Sequence, residues 1–274
     1  MTKTVEKLAI LGCGNIGSAI ARGLARSGRL PAKQIIVTRR KTHLSAHLTK
    51  EGFTVQSDNL DAVRRTKVVI LAVDPQHLAP LVREIAPALD PKHHVLISIV
   101  SGVSIAEILA LAGKTLPVVR AMPNTAIAIQ ESMTCLAAPA GSEKALQLAR
   151  TLFDAVGKTL VIDEDLIVPA TALCACGIAF FMRAIRAASQ GGIEIGFHAS
   201  DALCMAAQTA KGAAGLLLTE GSHPEGEIDK VTTPRGCTIA GLNQMEHEGF
   251  SSAMIRGIVT SAEKASKLYV KEEV

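Results

Sequence analysis

The spacing of apolar positions changes partway along this chain. In the first part they come as short runs: Leu8-Ala9-Ile10-Leu11, Gln34-Ile35-Ile36-Val37, Val68-Val69-Ile70-Leu71-Ala72-Val73 and His94-Val95-Leu96-Ile97-Ser98-Ile99. Runs with little polar alternation are what parallel strands covered on both faces require. Between the first two, apolar residues recur at helical spacing through Ile16, Ile20 and Leu24. Shorter strand patterns follow at Phe53-Thr54-Val55, Val118-Val119-Arg120, Met133-Thr134-Cys135-Leu136 and Leu160-Val161-Ile162, with a helix expected over 142–156. This alternation predicts an α/β fold with a doubly wound parallel sheet. Near Asp163 the strand pattern stops. Beyond it apolar residues recur at three and four through Ile178, Phe181, Met182 and Ile185, and again through Leu203, Ala207 and Ala210. Gly191-Gly192, Gly196 and Gly221 read as breaks between helices. Two domains are expected, a sheet domain over 1–163 and an all-helical domain over 164–274.

The first strand runs into Gly12-Cys13-Gly14-Asn15-Ile16-Gly17, and a helix follows. Bare glycines let a backbone approach a pyrophosphate, whose charge is favoured at the helix N-terminus. Gly12, Gly14, Asn15, Ile16 and Gly17 are therefore expected to hold a dinucleotide, and the sheet domain is of Rossmann type. An NAD-preferring site usually carries Asp or Glu at the end of the second strand. Here the segment reads Thr38-Arg39-Arg40-Lys41. A guanidinium binds a 2′-phosphate through forked, charged hydrogen bonds that a carboxylate would oppose. Thr38, Arg39 and Arg40 thus point to NADP(H), with NAD(H) as the second cofactor. Ligands of such sheets bind beyond the carboxyl ends of the strands, which adds Ala72, Val73, Asp74 and Gln76.

A third segment, Val231-Thr232-Thr233-Pro234-Arg235-Gly236-Cys237-Thr238-Ile239-Ala240-Gly241, joins two helical patterns. Pro234 and Gly236 mark a turn, and Thr238 is placed to start a helix. Hydroxyls and free N–H groups at a helix start suit a small carboxylate. The alternative is an ordinary polar turn.

Composition narrows the field. The 274 residues suffice for two domains, and 48% are apolar. Only 3% are aromatic and the net charge of +4 has no basic block, so neither a stacking platform nor a phosphate-binding stripe for nucleic acid is expected. Cys13, Cys135, Cys174, Cys176, Cys204 and Cys237 form no CxxC pair and fit neither a zinc site nor a disulfide framework. With no signal peptide at the start, a reduced, cytoplasmic protein without a metal is expected. Residues 166–182 carry no charged side chain, close to the ~20 residues of a membrane span. Pro169, Thr171 and Gly177 interrupt them, and charge returns at Arg183 and Arg186. The segment is read as a buried helix at a subunit interface, with no membrane partner.

These motifs together resemble the pyrroline-5-carboxylate reductase family. Thr232-Thr233-Pro234-Arg235-Gly236-Cys237-Thr238-Ile239-Ala240-Gly241 is similar to its T-S-P-G-G-T-T-I-A-G, with Glu246 beyond. Ala72-Val73-Asp74-Pro75-Gln76 resembles A-V-K-P-Q, Ser101-Gly102-Val103-Ser104-Ile105 resembles A-G-V-S-I, and Arg120-Ala121-Met122-Pro123-Asn124-Thr125 resembles R-x-M-P-N-T. Ala207-Gln208-Thr209-Ala210-Lys211-Gly212-Ala213-Ala214 resembles A-Q-T-x-x-G-A-A. The resemblance spans nearly the whole chain. It implies hydride transfer from NAD(P)H to a cyclic imine carboxylate, giving proline, by a homodimer or larger homo-oligomer joined through the helical domain. It implies a substrate carboxylate held by Thr232, Thr233, Arg235, Gly236, Cys237 and Thr238, with Thr238 near the ring nitrogen and Glu220 stabilising the protonated imine. Asn59, Met122, Pro123 and Asn124 join the cofactor positions. Departures are Asp74 for lysine, Arg235 for glycine, Cys237 for a small residue, and Cys174-Ala175-Cys176 for Ser-Gly-Ser. They leave open a reductase of a related cyclic imine, or a non-catalytic nucleotide-binding relative. Cys174 and Cys176 are read as small core residues rather than redox groups. Arg235 must either keep an ordinary backbone or gain from its charge.

Overall fold

In a computed structural model, residues 7–219 and 221–267 are described. The molecule divides into two compact units: the residues up to Cys176 together with those from Ser261 on, and Gly177–Thr260.

In the first unit, strands and helices alternate as β1 (Leu8–Leu11), α1 (Asn15–Arg26), β2 (Ile35–Thr38), α2 (Ala46–Lys50), β3 (Thr54–Gln56), α3 (Asn59–Arg64), β4 (Val68–Leu71), α4 (Leu78–Ile85), β5 (Val95–Ser98) and α5 (Ile105–Ala112). Then come β6 (Val118–Met122), β7 (Ser132–Ala137), α6 (Glu143–Phe153) and β8 (Gly157–Val161). The strands form one sheet in the order β3-β2-β1-β4-β5-β6-β7-β8. Neighbours are parallel except β6 and β7. The link between those two holds only a short 3-10 turn, Thr125–Ile129, which is too little for the crossover a parallel pair needs.

The unbroken apolar runs are divided by strand alternation between two cores. Leu8 and Ile10 of β1, with Val68 and Ile70 of β4, face α1 and α6 residues such as Ile20, Leu24, Ala149 and Phe153. Ala9 and Leu11, with Val69 and Leu71, pack with Val82 and Ile85 of α4 and Ile108 of α5 on the other side. Helix ends are set by local chemistry. Asp58 accepts from the Asp61 N–H to start α3, Ser104 and Glu107 form a reciprocal capping box on α5, and Gly113 ends α5 in a left-handed conformation.

After β8 the chain is helical. The stretch 164–194 contains α7 (Ile167–Ala170), a π-helical segment at Thr171–Cys176, and α8 (Gly177–Glu194). By length and composition it is the one helix among the described residues that could cross a membrane, but its first turns are tied into the sheet unit, where Ile167, Ala170, Thr171 and Ala172 are buried. The chain continues with α9 (Ala199–Leu217), α10 (Pro224–Val231), α11 (Cys237–His247) and α12 (Phe250–Ala265), the last of which runs from the second unit into the first at Ser261. Small residues bring α8 and α9 together: a Cβ on Gly192 would lie 3.0 Å from that of Ala202. The expectation of a buried helix over 166–182 is corrected for the single chain. Leu173 of the π-helical segment and Phe181 and Met182 of α8 are more than half exposed, and among its described residues the second unit buries little of its own.

Candidate functional site

A cleft of about 710 Å³ opens at the carboxyl ends of β1, β2 and β4, where the strand order reverses. Register makes these ends level, since Leu11 pairs with both Thr38 and Leu71. Gly12 follows with a φ of 100°, and a Cβ there would collide with the Ala72 carbonyl. Only glycine fits. A Cβ on Gly17 would strike the Gly12 carbonyl oxygen, so the third glycine lets α1 sit against the turn. Nothing approaches within 4 Å of where a Gly14 Cβ would stand, and no side chain caps α1. The structure thus offers an open cradle at a helix N-terminus, which fits a pyrophosphate.

Among the residues expected at the cofactor, Gly12, Gly14, Thr38, Arg39, Arg40, Asn59, Ala72, Val73 and Asp74 line this cleft. Asn15, Ile16 and Gly17 begin α1 behind it, and Gln76 lies in the 3-10 turn Pro75–His77; none of the four lines the cleft. Cys13, Lys41, Leu44, Ser57, His77, Pro80, Leu81 and Glu84 line it without having been singled out. Lys41 is the last residue of the basic segment that supplied Thr38, Arg39 and Arg40. His77 and Glu84 carry no motif and are brought in by the turn before α4 and by α4 itself. The Thr38 hydroxyl donates to Asn59 Oδ1 at 2.6 Å, and Asn59 Nδ2 donates to both Glu84 oxygens at 3.2 Å. Arg40 Nη2 lies 3.3 Å from His77 Nε2.

Met122, Pro123 and Asn124 close β6 apart from the cleft lining. The polar atoms of Asn124 are engaged within the protein. Its N–H donates to Ser132 Oγ at 3.1 Å, its Oδ1 accepts from the Ala126 N–H at 3.0 Å, and its Nδ2 donates to the Cys174 carbonyl at 3.2 Å. That carbonyl belongs to the π segment, a widened turn of a kind common at functional sites. Nearby, Arg120 is buried and its Nη1 meets Glu164 Oε1 at 3.3 Å, while the same oxygen accepts from the Ile105 N–H at 2.7 Å. Burial pushes the Arg120 guanidinium down from its ordinary value, and the Glu164 charge partly offsets this.

The threonine segment lies in the second unit, between α10 and α11. The Thr232 hydroxyl donates to the Ile228 carbonyl at 2.7 Å, and the Gly236 N–H closes the turn onto the Thr233 carbonyl at 2.9 Å. A Cβ on Gly236 would lie 2.5 Å from Thr233 Oγ1. Arg235 adopts a left-handed backbone with φ of 59° and is exposed. Gly236 is the N-cap, so α11 begins at Cys237, one residue before the expected start, and Thr238 sits in its first turn. No side chain caps this helix, which leaves first-turn N–H groups for an anion. Thr232, Thr233, Arg235, Gly236, Cys237 and Thr238 are thus gathered on one turn. Glu220 lies outside the described residues.

Residues 164–268 match the family model for pyrroline-5-carboxylate reductase dimerisation, and residues 7–102 match the one described as NADP oxidoreductase, coenzyme F420-dependent. Pyrroline-5-carboxylate reductase 1 of Dictyostelium discoideum is 54% identical over 97% of this chain, which spans 50% of that relative's length. Pyrroline-5-carboxylate reductase 2 of the same organism is 48% identical over 97% of this chain and 94% of its own. The crystal structure of a Plasmodium falciparum pyrroline carboxylate reductase, with NADP bound, superposes with a TM-score of 0.86 at 22% identity, covering 98% of this chain and all of that one. The 48% identity over nearly the whole of both chains places this one in the pyrroline-5-carboxylate reductase family.

Proposed function

We propose that this protein reduces 1-pyrroline-5-carboxylate to proline, with NADPH as its preferred reductant and NADH as a second. The observation that carries the reading is 48% identity to a relative of that name across nearly all of both chains. The geometry supports it. The open turn at Gly12 and Gly14 suits the pyrophosphate, and Arg39, Arg40 and Lys41 line the same cleft where a 2′-phosphate needs cations. When bound, the reduced nicotinamide supplies the hydride that the imine carbon takes up. The chain's own residues have lighter work, because the imine is readily protonated. The Thr232–Thr238 turn holds the carboxylate through first-turn N–H groups and hydroxyls, Thr238 bonds near the ring nitrogen, and Glu220 stabilises the protonated ring.

The proposed assembly is a homodimer through the helical domain, 164–274. The second unit supports it: Phe181, Met182, Leu203, Ile255 and Val259 are exposed in the single chain. Each is already about half buried, so covering the rest contributes about 0.7–1.5 kcal/mol, half the value for burying a whole side chain. Six free cysteines support a reducing, cytoplasmic location. The Cys174-Ala175-Cys176 and Arg235 departures favour one second reading, a related cyclic imine carboxylate as the better substrate. Steady-state NADPH oxidation across five- and six-membered cyclic imines, with and without the carboxylate, separates the two. The reading expects the highest kcat/KM for pyrroline-5-carboxylate. A higher value for a six-membered imine overturns the substrate, and cofactor binding without turnover on any of them overturns the enzyme.

A further inference from the structure

We propose that Cys135 and Cys174 form a site of reversible thiol oxidation, at which a small peroxide makes an intramolecular disulfide joining β7 to the π segment. Their sulfurs lie 3.9 Å apart and both thiols are free. They meet in a small apolar cluster with Met122, Ala137, Ile167 and Ala170. Cys135 is the fixed partner, paired to Met122 on β6 and Leu160 on β8. Cys174 is the movable one, since it lies in Thr171–Cys176, where the helix has already left regular α geometry. A disulfide requires sulfurs about 2 Å apart, so closure asks for a shift of roughly 2 Å.

The two thiols differ in access and in acidity. Cys174 is partly open to solvent, while Cys135 is buried. The hydrogen bond from the Cys135 thiol holds Cys174 below the ordinary thiol range, and the same bond, with burial, pushes Cys135 up. Cys174 is therefore the attacking group, as a thiolate. Its sulfur takes the near oxygen of hydrogen peroxide, the O–O bond breaks, and the leaving hydroxide is protonated to water. Cys174 is left as a sulfenic acid. The Cys135 sulfur then attacks the Cys174 sulfur, its S–H proton passes to the departing hydroxyl as the S–O bond breaks, a second water leaves, and the S–S bond forms. Two thiols have given two electrons to one peroxide.

The consequence for catalysis rests on the reductase reading; the disulfide does not. The Cys174 carbonyl accepts from Asn124, which follows Met122 and Pro123 at the end of β6. Drawing Cys174 toward β7 disturbs that bond, so activity is expected to fall severalfold on oxidation and return with a thiol reductant. The test treats the whole protein with a small molar excess of hydrogen peroxide, alkylates it under denaturing conditions and maps the peptides. A linked Cys135–Cys174 peptide pair is expected, with alkylatable thiols falling from the six of the reduced chain by two. In Cys135→Ser a dimedone adduct should collect on Cys174, and Cys174→Ser should give no link. Oxidation confined to the exposed Cys204 and Cys237, with no link in the native chain, overturns the site. A quantitative link with unchanged turnover overturns the coupling through Asn124. Because the mapping needs no turnover, failure of the reductase reading leaves it readable.

Discussion

Arg235 holds a left-handed backbone at a position where the family pattern has glycine. For a residue with a Cβ that conformation costs about 1–2 kcal/mol, partly offset in any glycine variant by the greater entropy of its unfolded chain. Arg235→Gly should therefore raise unfolding stability by about 0.5–1 kcal/mol in urea titrations. If the guanidinium binds the substrate carboxylate, the same variant should lose roughly ten- to a hundredfold in kcat/KM, mainly through KM. A stabler enzyme with unchanged KM shows a surface arginine with no part in binding. At the other site, Arg39→Ala should cut kcat/KM for NADPH roughly ten- to a hundredfold and leave that for NADH nearly unchanged. Equal losses with both cofactors would remove the 2′-phosphate from Arg39. At Arg235 the glycine of the family pattern hinted at a backbone demand but left an ordinary backbone open, and the φ of 59° closes that alternative. Glu84 was not legible in the sequence, because only α4 packing carries it to the cleft beside Asn59.

Strands with nearly unbroken apolar runs were the most legible elements, since burial on both faces leaves few polar positions in them, such as Thr38 and Ser98 at their ends. The strand at β7 was legible too, through Met133-Thr134-Cys135-Leu136, but its antiparallel direction was not, because the short turn before it sets that direction. The start of the 164–194 helix depends on a contact that no local pattern announces. Glu164 joins buried Arg120 to the N-terminus of α5. Removing one partner of a fully buried ion pair costs about 3–5 kcal/mol. Glu164 keeps a third of its side chain exposed, so solvent screens part of that loss. Glu164→Gln should lower stability by about 1–3 kcal/mol in urea or thermal unfolding, with Asp165→Asn as a nearby control. A change within error would mean that the Arg120 charge is compensated elsewhere.

At the scale of the whole molecule the two units are built on different terms. The sheet unit closes two cores of its own, whereas α8 to α12 present apolar side chains that only another surface can cover. The change in pattern near Asp163 made the helical region legible, but not which faces its helices leave open. Light scattering at low micromolar concentration should find a dimer or a multiple of it, and Phe181→Asp should shift the protein toward monomer or aggregate. A native protein that stays monomeric and active would contradict the assembly. The chemistry is read most directly by the fate of one hydrogen. The protein is given 1-pyrroline-5-carboxylate and NADPH deuterated on the transferring face of nicotinamide C4, and the product is followed by NMR. Deuterium should appear in proline on the ring carbon that was the imine carbon, one per turnover. Unlabelled proline, or oxidised cofactor with no proline, would contradict it.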